Sequence, residues 1–118
     1  MLKGEYPLTE HFGVFEADAP DAAVPSTLFN TALAQDVSHG VDLLLLAGEA
    51  SSHCVAASFD QLTRHLDQQP GARPRIVLLS DCMSPVPGFE SLADDFFQRA
   101  TAWGAEVMRS DQAGQSCW

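Results

Sequence analysis

Two short apolar runs set the limits of what this chain can fold into. Asp42-Leu43-Leu44-Leu45-Leu46-Ala47-Gly48 and Arg75-Ile76-Val77-Leu78-Leu79-Ser80-Asp81 are each one strand long. Their hydrophobicity is continuous rather than alternating, the mark of a strand buried on both faces in a parallel sheet. The segments around them have helical spacing. Leu28, Phe29, Ala32, Leu33 and Val37 follow Ser26, a plausible N-cap, and stop at Gly40. Val55, Phe59, Leu62 and Leu66 form a second apolar face, and Leu92, Phe96, Ala100 and Trp103 a third, closed by Gly104. Ala105 to Arg109 is a last, weaker strand. Helix, strand, helix, strand, helix, strand calls for an α/β fold, a three-layer α/β/α arrangement on a parallel sheet.

The pattern predicts a sheet that is incomplete. Leu43 to Leu46 has the composition of a central strand, yet only two other strands are visible. At an edge its unpaired backbone and leucines would face water, an exposure natural proteins avoid. Either another chain covers it or upstream strands belong beside it. The second reading makes the chain about three strands of a larger doubly wound sheet, an N-terminally truncated C-terminal half. Residues 1–111 are then the half-domain and 112–118 a polar tail. Met1 to Pro25 carries turn formers at Gly4, Pro7, Gly13, Pro20 and Pro25 and reads as irregular.

The 118 residues suffice for one domain with a core, and a hydrophobic fraction of 46% is that of a globular chain. The net charge of −10 would repel a polyphosphate backbone, which excludes nucleic acid as a natural partner. The longest apolar run is too short to span a bilayer, so no membrane is expected. Met1 to Glu5 has no signal core, and the default location is cytoplasmic. Cys54, Cys82 and Cys117 cannot all pair with one another, and no C-x-x-C or Cys/His zinc spacing is present. Free thiols in a reducing compartment are the expectation.

Ligands of open parallel sheets bind beyond the carboxyl ends of the strands. The segment there is Gly48-Glu49-Ala50-Ser51-Ser52-His53-Cys54-Val55. Cys54 falls near the start of the following helix, where free amides and the helix dipole suit an anion. The same amides could serve a tetrahedral oxyanion. Cys54 reads either as a small buried thiol or as a nucleophile. Ser51 and Ser52 read as helix caps. His53 adjoins Cys54 but points about 100° away on a helix, so it suits a pocket lining better than a dyad. Glu49 reads as a buried polar residue or as surface. Asp81, at the end of the second strand, reads as a binder of loop amides more than as a chemical group.

Three stretches together resemble the isochorismatase-like cysteine hydrolases, of the nicotinamidase/pyrazinamidase type. They are Leu2-Lys3-Gly4 with the following Phe12-Gly13-Val14-Phe15, Ala47 to Val55, and Leu78 to Glu90. The resemblance covers almost the whole chain and ends near Asp111. It implies a cysteine-dependent amidohydrolase that converts a small-molecule amide, nicotinamide above all, to the acid and ammonia through a thioester. Cys54 would be the nucleophile, Lys3 the triad lysine, and the amides of Ala50 and Cys54 the oxyanion hole, with a cis peptide between Glu49 and Ala50. Phe12, Phe15 and His53 would bind substrate. The family's Asp and its metal ligands lie upstream of the lysine, so no metal residue is assigned and no cofactor is expected, although the resemblance implies a divalent metal such as zinc in full-length relatives. Activity is expected to be impaired. A homo-oligomer or a complementing N-terminal segment would be the partner, and the rival reading is a non-catalytic fragment or oligomerising interaction module.

Overall fold

The computed structural model describes residues 1–116 and shows an α/β fold. Helix α1 (Thr31–His39) leads to strand β1 (Leu43–Leu46), α2 (Cys54–Asp67), β2 (Arg75–Leu79), α3 (Glu90–Trp103), β3 (Glu106–Met108) and α4 (Ser110–Ser116). The three strands form one parallel sheet in the order β1-β2-β3. Leu44 lies opposite Ile76, and Leu78 opposite Val107. Because both crossovers step the same way along the sheet, their right-handedness puts α2 and α3 on the same face. Phe59 of α2 meets Phe96 of α3 edge-on there, with ring centroids 5.6 Å apart.

The core lies beneath that face. Phe96 and Leu78 are completely buried, and Leu62, Leu66 and Ile76 nearly so. Leu44 and Leu46 of β1 point into the same cluster. Burying a side chain of this size contributes about 1.5–3 kcal/mol, so these few positions carry much of the fold. β2 is the central strand, with Ile76, Val77 and Leu78 at most 2% exposed. β1 is an edge, and all four of its leucines remain half-buried. Beside it is a cavity of about 240 Å³ walled by Val14, Leu33, Val37, Leu44, Leu46 and Phe59.

One local expectation is corrected. The first helix does not begin at Ser26. Pro25–Thr27 makes a 3-10 turn, in which the buried Thr27 hydroxyl reaches the carbonyls of Asp21 and Val24. The chain then runs extended through Leu28, and the cap is Asn30, whose side chain accepts the Leu33 N–H at 3.0 Å. At the other end, the polar tail is helical through Ser116, and its Ala113 is buried. Residues 117 and 118, and with them Cys117, lie outside the described residues. Gly104 stops α3 as expected, with φ of +118° and its N–H on the Ala100 carbonyl. Among the described residues no helix is long and apolar enough to cross a membrane.

Candidate functional site

The β1–α2 turn is tied to the loop after β2 by four hydrogen-bonded links. Gly48 N–H donates to the Cys82 carbonyl at 3.1 Å and Ser51 N–H to the Ser84 carbonyl at 2.9 Å. The Glu49 carboxylate accepts from Ser84 N–H at 3.1 Å and from the Ser84 hydroxyl at 2.9 Å. Val86 N–H donates to Ser52 Oγ at 2.9 Å. Backbone and side chain alternate along this seam, so the turn is held at Gly48, Glu49, Ser51 and Ser52. The Glu49–Ala50 peptide is cis.

Cys54 is the first residue of α2 and half-buried. His53 occupies the cap position without a side-chain capping bond. Ser51 and Ser52 do not cap either. Ser51 Oγ is buried without a partner, while Ser52 serves Val86 and contacts His53 Nδ1 at 2.8 Å. The Ala50 carbonyl is occupied by the N–H groups of His53 and Val55. The N–H groups of Ala50 and Cys54 have no acceptor among the described residues. Uncapped amides at a helix start are suited to an anion.

A second assembly brings the N-terminal segment onto α2. Gln61, buried in the middle of that helix, accepts from Phe15 N–H at 3.0 Å and Glu16 N–H at 3.2 Å, and donates to the Glu16 carbonyl. Ser58 Oγ accepts Val14 N–H and donates to the Cys54 carbonyl. Phe12 is held at both backbone ends, its N–H by Asp18 and its carbonyl by Lys3 Nζ at 2.9 Å. Gly13 is required here because an added Cβ would fall 2.2 Å from Gln61.

Together these anchors bring residues far apart in the chain to one place. Lys3, Gly48, Glu49, Cys54 and Ser58 border a cavity of about 280 Å³ at the carboxyl end of β1. Phe12 faces His53 at a centroid distance of 5.9 Å, and Phe89 meets the same ring edge-on at 4.9 Å. Phe15 is a different case. It is 5% exposed and stacked on Phe29, so it belongs to the core rather than to the wall of the Cys54 cavity. The spacing of Phe12 and Phe15 does not reveal this, because the segment is irregular and has no repeating face.

Sequence reasoning passed over Ser84, Ser58, Gln61 and Phe89. Their signals were present only as polar residues on an otherwise apolar helix face, Ser58 and Gln61, and as a loop next to the rim. Asp81 turns out to be structural. Its carboxylate accepts both the N–H and the hydroxyl of Ser110 at 2.7 Å, at the start of α4. These bonds, the hydroxyl's first, hold its carboxyl pKa below the usual carboxylate range, with Arg109 adding a smaller attraction. Cys82 is exposed, and its thiol lies 3.8 Å from the Asp81 carboxylate.

Among the described residues no three His, Cys, Asp or Glu side chains converge to hold a metal ion. The residues present therefore do not form a site for the divalent metal that the resemblance implies, and no chemical step is routed through one. Compared with known proteins, the chain matches no family model, no curated protein and no solved structure.

Proposed function

We propose that this chain is a cysteine-dependent amidohydrolase of the nicotinamidase type. The observation that carries the reading is that Lys3 and Cys54 border one cavity beyond the end of a parallel strand, beside two unused amide donors. In the proposed reaction Cys54 Sγ attacks the amide carbon of nicotinamide. The carbonyl oxygen becomes an oxyanion held by the N–H groups of Ala50 and Cys54. The thiol's proton passes to the amide nitrogen, the carbon–nitrogen bond breaks, ammonia leaves, and a thioester remains. Water then attacks the thioester, giving nicotinate and restoring the thiol. The positive charge of Lys3 favours both the thiolate and the oxyanion. A flat ring would rest between Phe12 and Phe89 beside His53.

The weak part is proton removal. Among the described residues Glu49 is the one carboxylate bordering the cavity, and its oxygens are engaged by Ser84. Without a free general base, turnover is expected to fall about 10²–10⁴-fold below a complete site. The reading carries a cytoplasmic location, where a nucleophilic thiol stays reduced. Ammonia release from nicotinamide, compared between the natural chain and Cys54→Ala, tests it.

A second reading is favoured by β1. A four-leucine strand at a sheet edge, with a largely apolar cavity beside it, is an open place for another strand. In that reading the chain is a non-catalytic interaction module, assembling with a second copy or a complementing segment through this edge. Stable assembly together with an inert Cys54 would favour it over the hydrolase.

A further inference from the structure

We propose that Ser52 fixes the tautomer of His53, so that this ring, with Phe12 and Phe89 as its aromatic neighbours, presents its Nε2–H donor to flat ligands carrying a ring acceptor. The ligand half rests on the proposed hydrolase reading and names a ligand class for that site. The tautomer half stands without it.

Ser52 is 7% exposed. Its oxygen takes the Val86 N–H at 2.9 Å, and it lies 2.8 Å from His53 Nδ1. A hydroxyl has one hydrogen to give, and Nδ1 is the acceptor within its reach among the described residues. If Nδ1 carried the proton instead, two donors would aim at Oγ while its own hydrogen stayed buried without an acceptor. Buried polar groups are paired in the large majority of cases. The chain of donors therefore runs from Val86 N–H to Ser52 Oγ and from the Ser52 hydroxyl to Nδ1. The neutral ring then holds its proton on Nε2.

That proton is available. Nε2 bonds to no described residue and is not a buried orphan, so it reaches solvent. Phe12 and Phe89, each more than two-fifths exposed, are both ring neighbours of His53. The result is one fixed donor with exposed aromatic neighbours. It accommodates a flat ring and rewards an acceptor on it, whereas a ring N–H in the same place would meet a like group. His53 is thereby a specificity-determining residue, and Ser52 a positioning residue acting through it.

Long-range proton–nitrogen correlation NMR on the whole chain at about pH 8, where histidine is neutral, reads the tautomer directly. The His53 signals are identified by their loss in His53→Phe. The natural chain is expected to show a pyridine-like Nδ1 and a pyrrole-like Nε2, and Ser52→Ala to show values averaged between tautomers. An Nδ1–H ring in the natural chain, or averaging that Ser52→Ala leaves unchanged, overturns the assignment. For the ligand half, nicotinamide and benzamide differ in the ring nitrogen. Nicotinamide is expected to shift the Nε2 signal at about five- to tenfold lower concentration, the worth of one hydrogen bond. An equal response to both, or none to either, overturns the ligand half. Neither arm uses turnover, so a chain with the stated tautomer and no ammonia release would count against the hydrolase reading alone.

Discussion

Glu49, beside the cis peptide of the β1–α2 turn, is bound through its carboxylate to both the N–H and the hydroxyl of Ser84, thirty-five positions along the chain. The pair joins the end of β1 to the loop after β2, and Cys54 sits on the far side of the joined turn. This strap holds the turn through a charge-assisted contact at the sheet rim. Because both residues are exposed, the contact is screened by water, and its effect is on geometry more than on stability.

Ser84→Ala removes the hydroxyl and leaves the backbone bond. It is expected to lower stability by at most about 1 kcal/mol, read as a shift in urea midpoint. If the hydrolase reading holds, the same variant loses several-fold more in turnover than in stability, because the turn that carries the Ala50 and Cys54 amides loosens. Equal, negligible effects on both would show that the strap is decorative.

Gln61 carries more weight than its polar character suggests. It is 7% exposed and makes three bonds to the backbone of Phe15 and Glu16. Gln61→Ala strands the buried Phe15 N–H and opens a void, and is expected to cost about 2–4 kcal/mol. Gly13→Ala attacks the same joint from the other side and is expected to cost about 1–3 kcal/mol through the clash with Gln61. Combined, the two substitutions should cost less than their sum, since each removes what the other would disturb. Chemical denaturation of the four chains of this cycle measures it.

The fold was legible in the sequence where hydrophobic period decided the matter. Leu43 to Leu46, Ile76 to Leu78 and the Val55–Leu66 face declare two strands and a helix, and Gly104 its neighbour's end. The start of α1 was not legible, because Ser26 and Asn30 are both good caps and only tertiary bonds from Thr27 choose between them. The position of Cys54 at the first turn of α2 followed from strand and helix order. The seam to Ser84 and Val86 and the anchoring of Phe12 did not, for these are contacts between loops, and loops carry no period. Phe15 shows the cost of reading a motif without its backbone: two phenylalanines three apart look alike, yet one ends beside His53 and the other in the core.

Acid is expected to unfasten α4. The folded-state pKa of Asp81 is held below the ordinary value by Ser110, so the folded chain binds fewer protons there than the unfolded one. The resulting stabilisation is present above about pH 4 and disappears as the pH falls through the lowered folded value. Glu106, whose pKa is likewise lowered by its hydrogen bonds to Arg75, has the same sign. Urea midpoints recorded from neutral to acid pH should therefore fall less steeply in Asp81→Asn than in the natural chain. A parallel pair of curves would remove Asp81 from the account.

The open edge of β1 makes its own prediction. Leu44 and Leu46 point into the core cluster, and by alternation Leu43 and Leu45 point to the other face. A lysine on an edge strand discourages pairing. If the edge associates, Leu45→Lys converts the associated form to monomer in sedimentation velocity while the helical circular dichroism persists. A chain that is monomeric before and after the change removes the interaction-module reading.

The most direct test of the central claim is ammonia release from nicotinamide by the purified chain beside its Cys54→Ala variant. The account predicts slow release by the natural chain, a trapped thioester on Cys54 by mass spectrometry, and neither in the variant. Equal release from both chains would contradict Cys54 as the nucleophile, and no release or thioester from the natural chain would contradict the hydrolase itself.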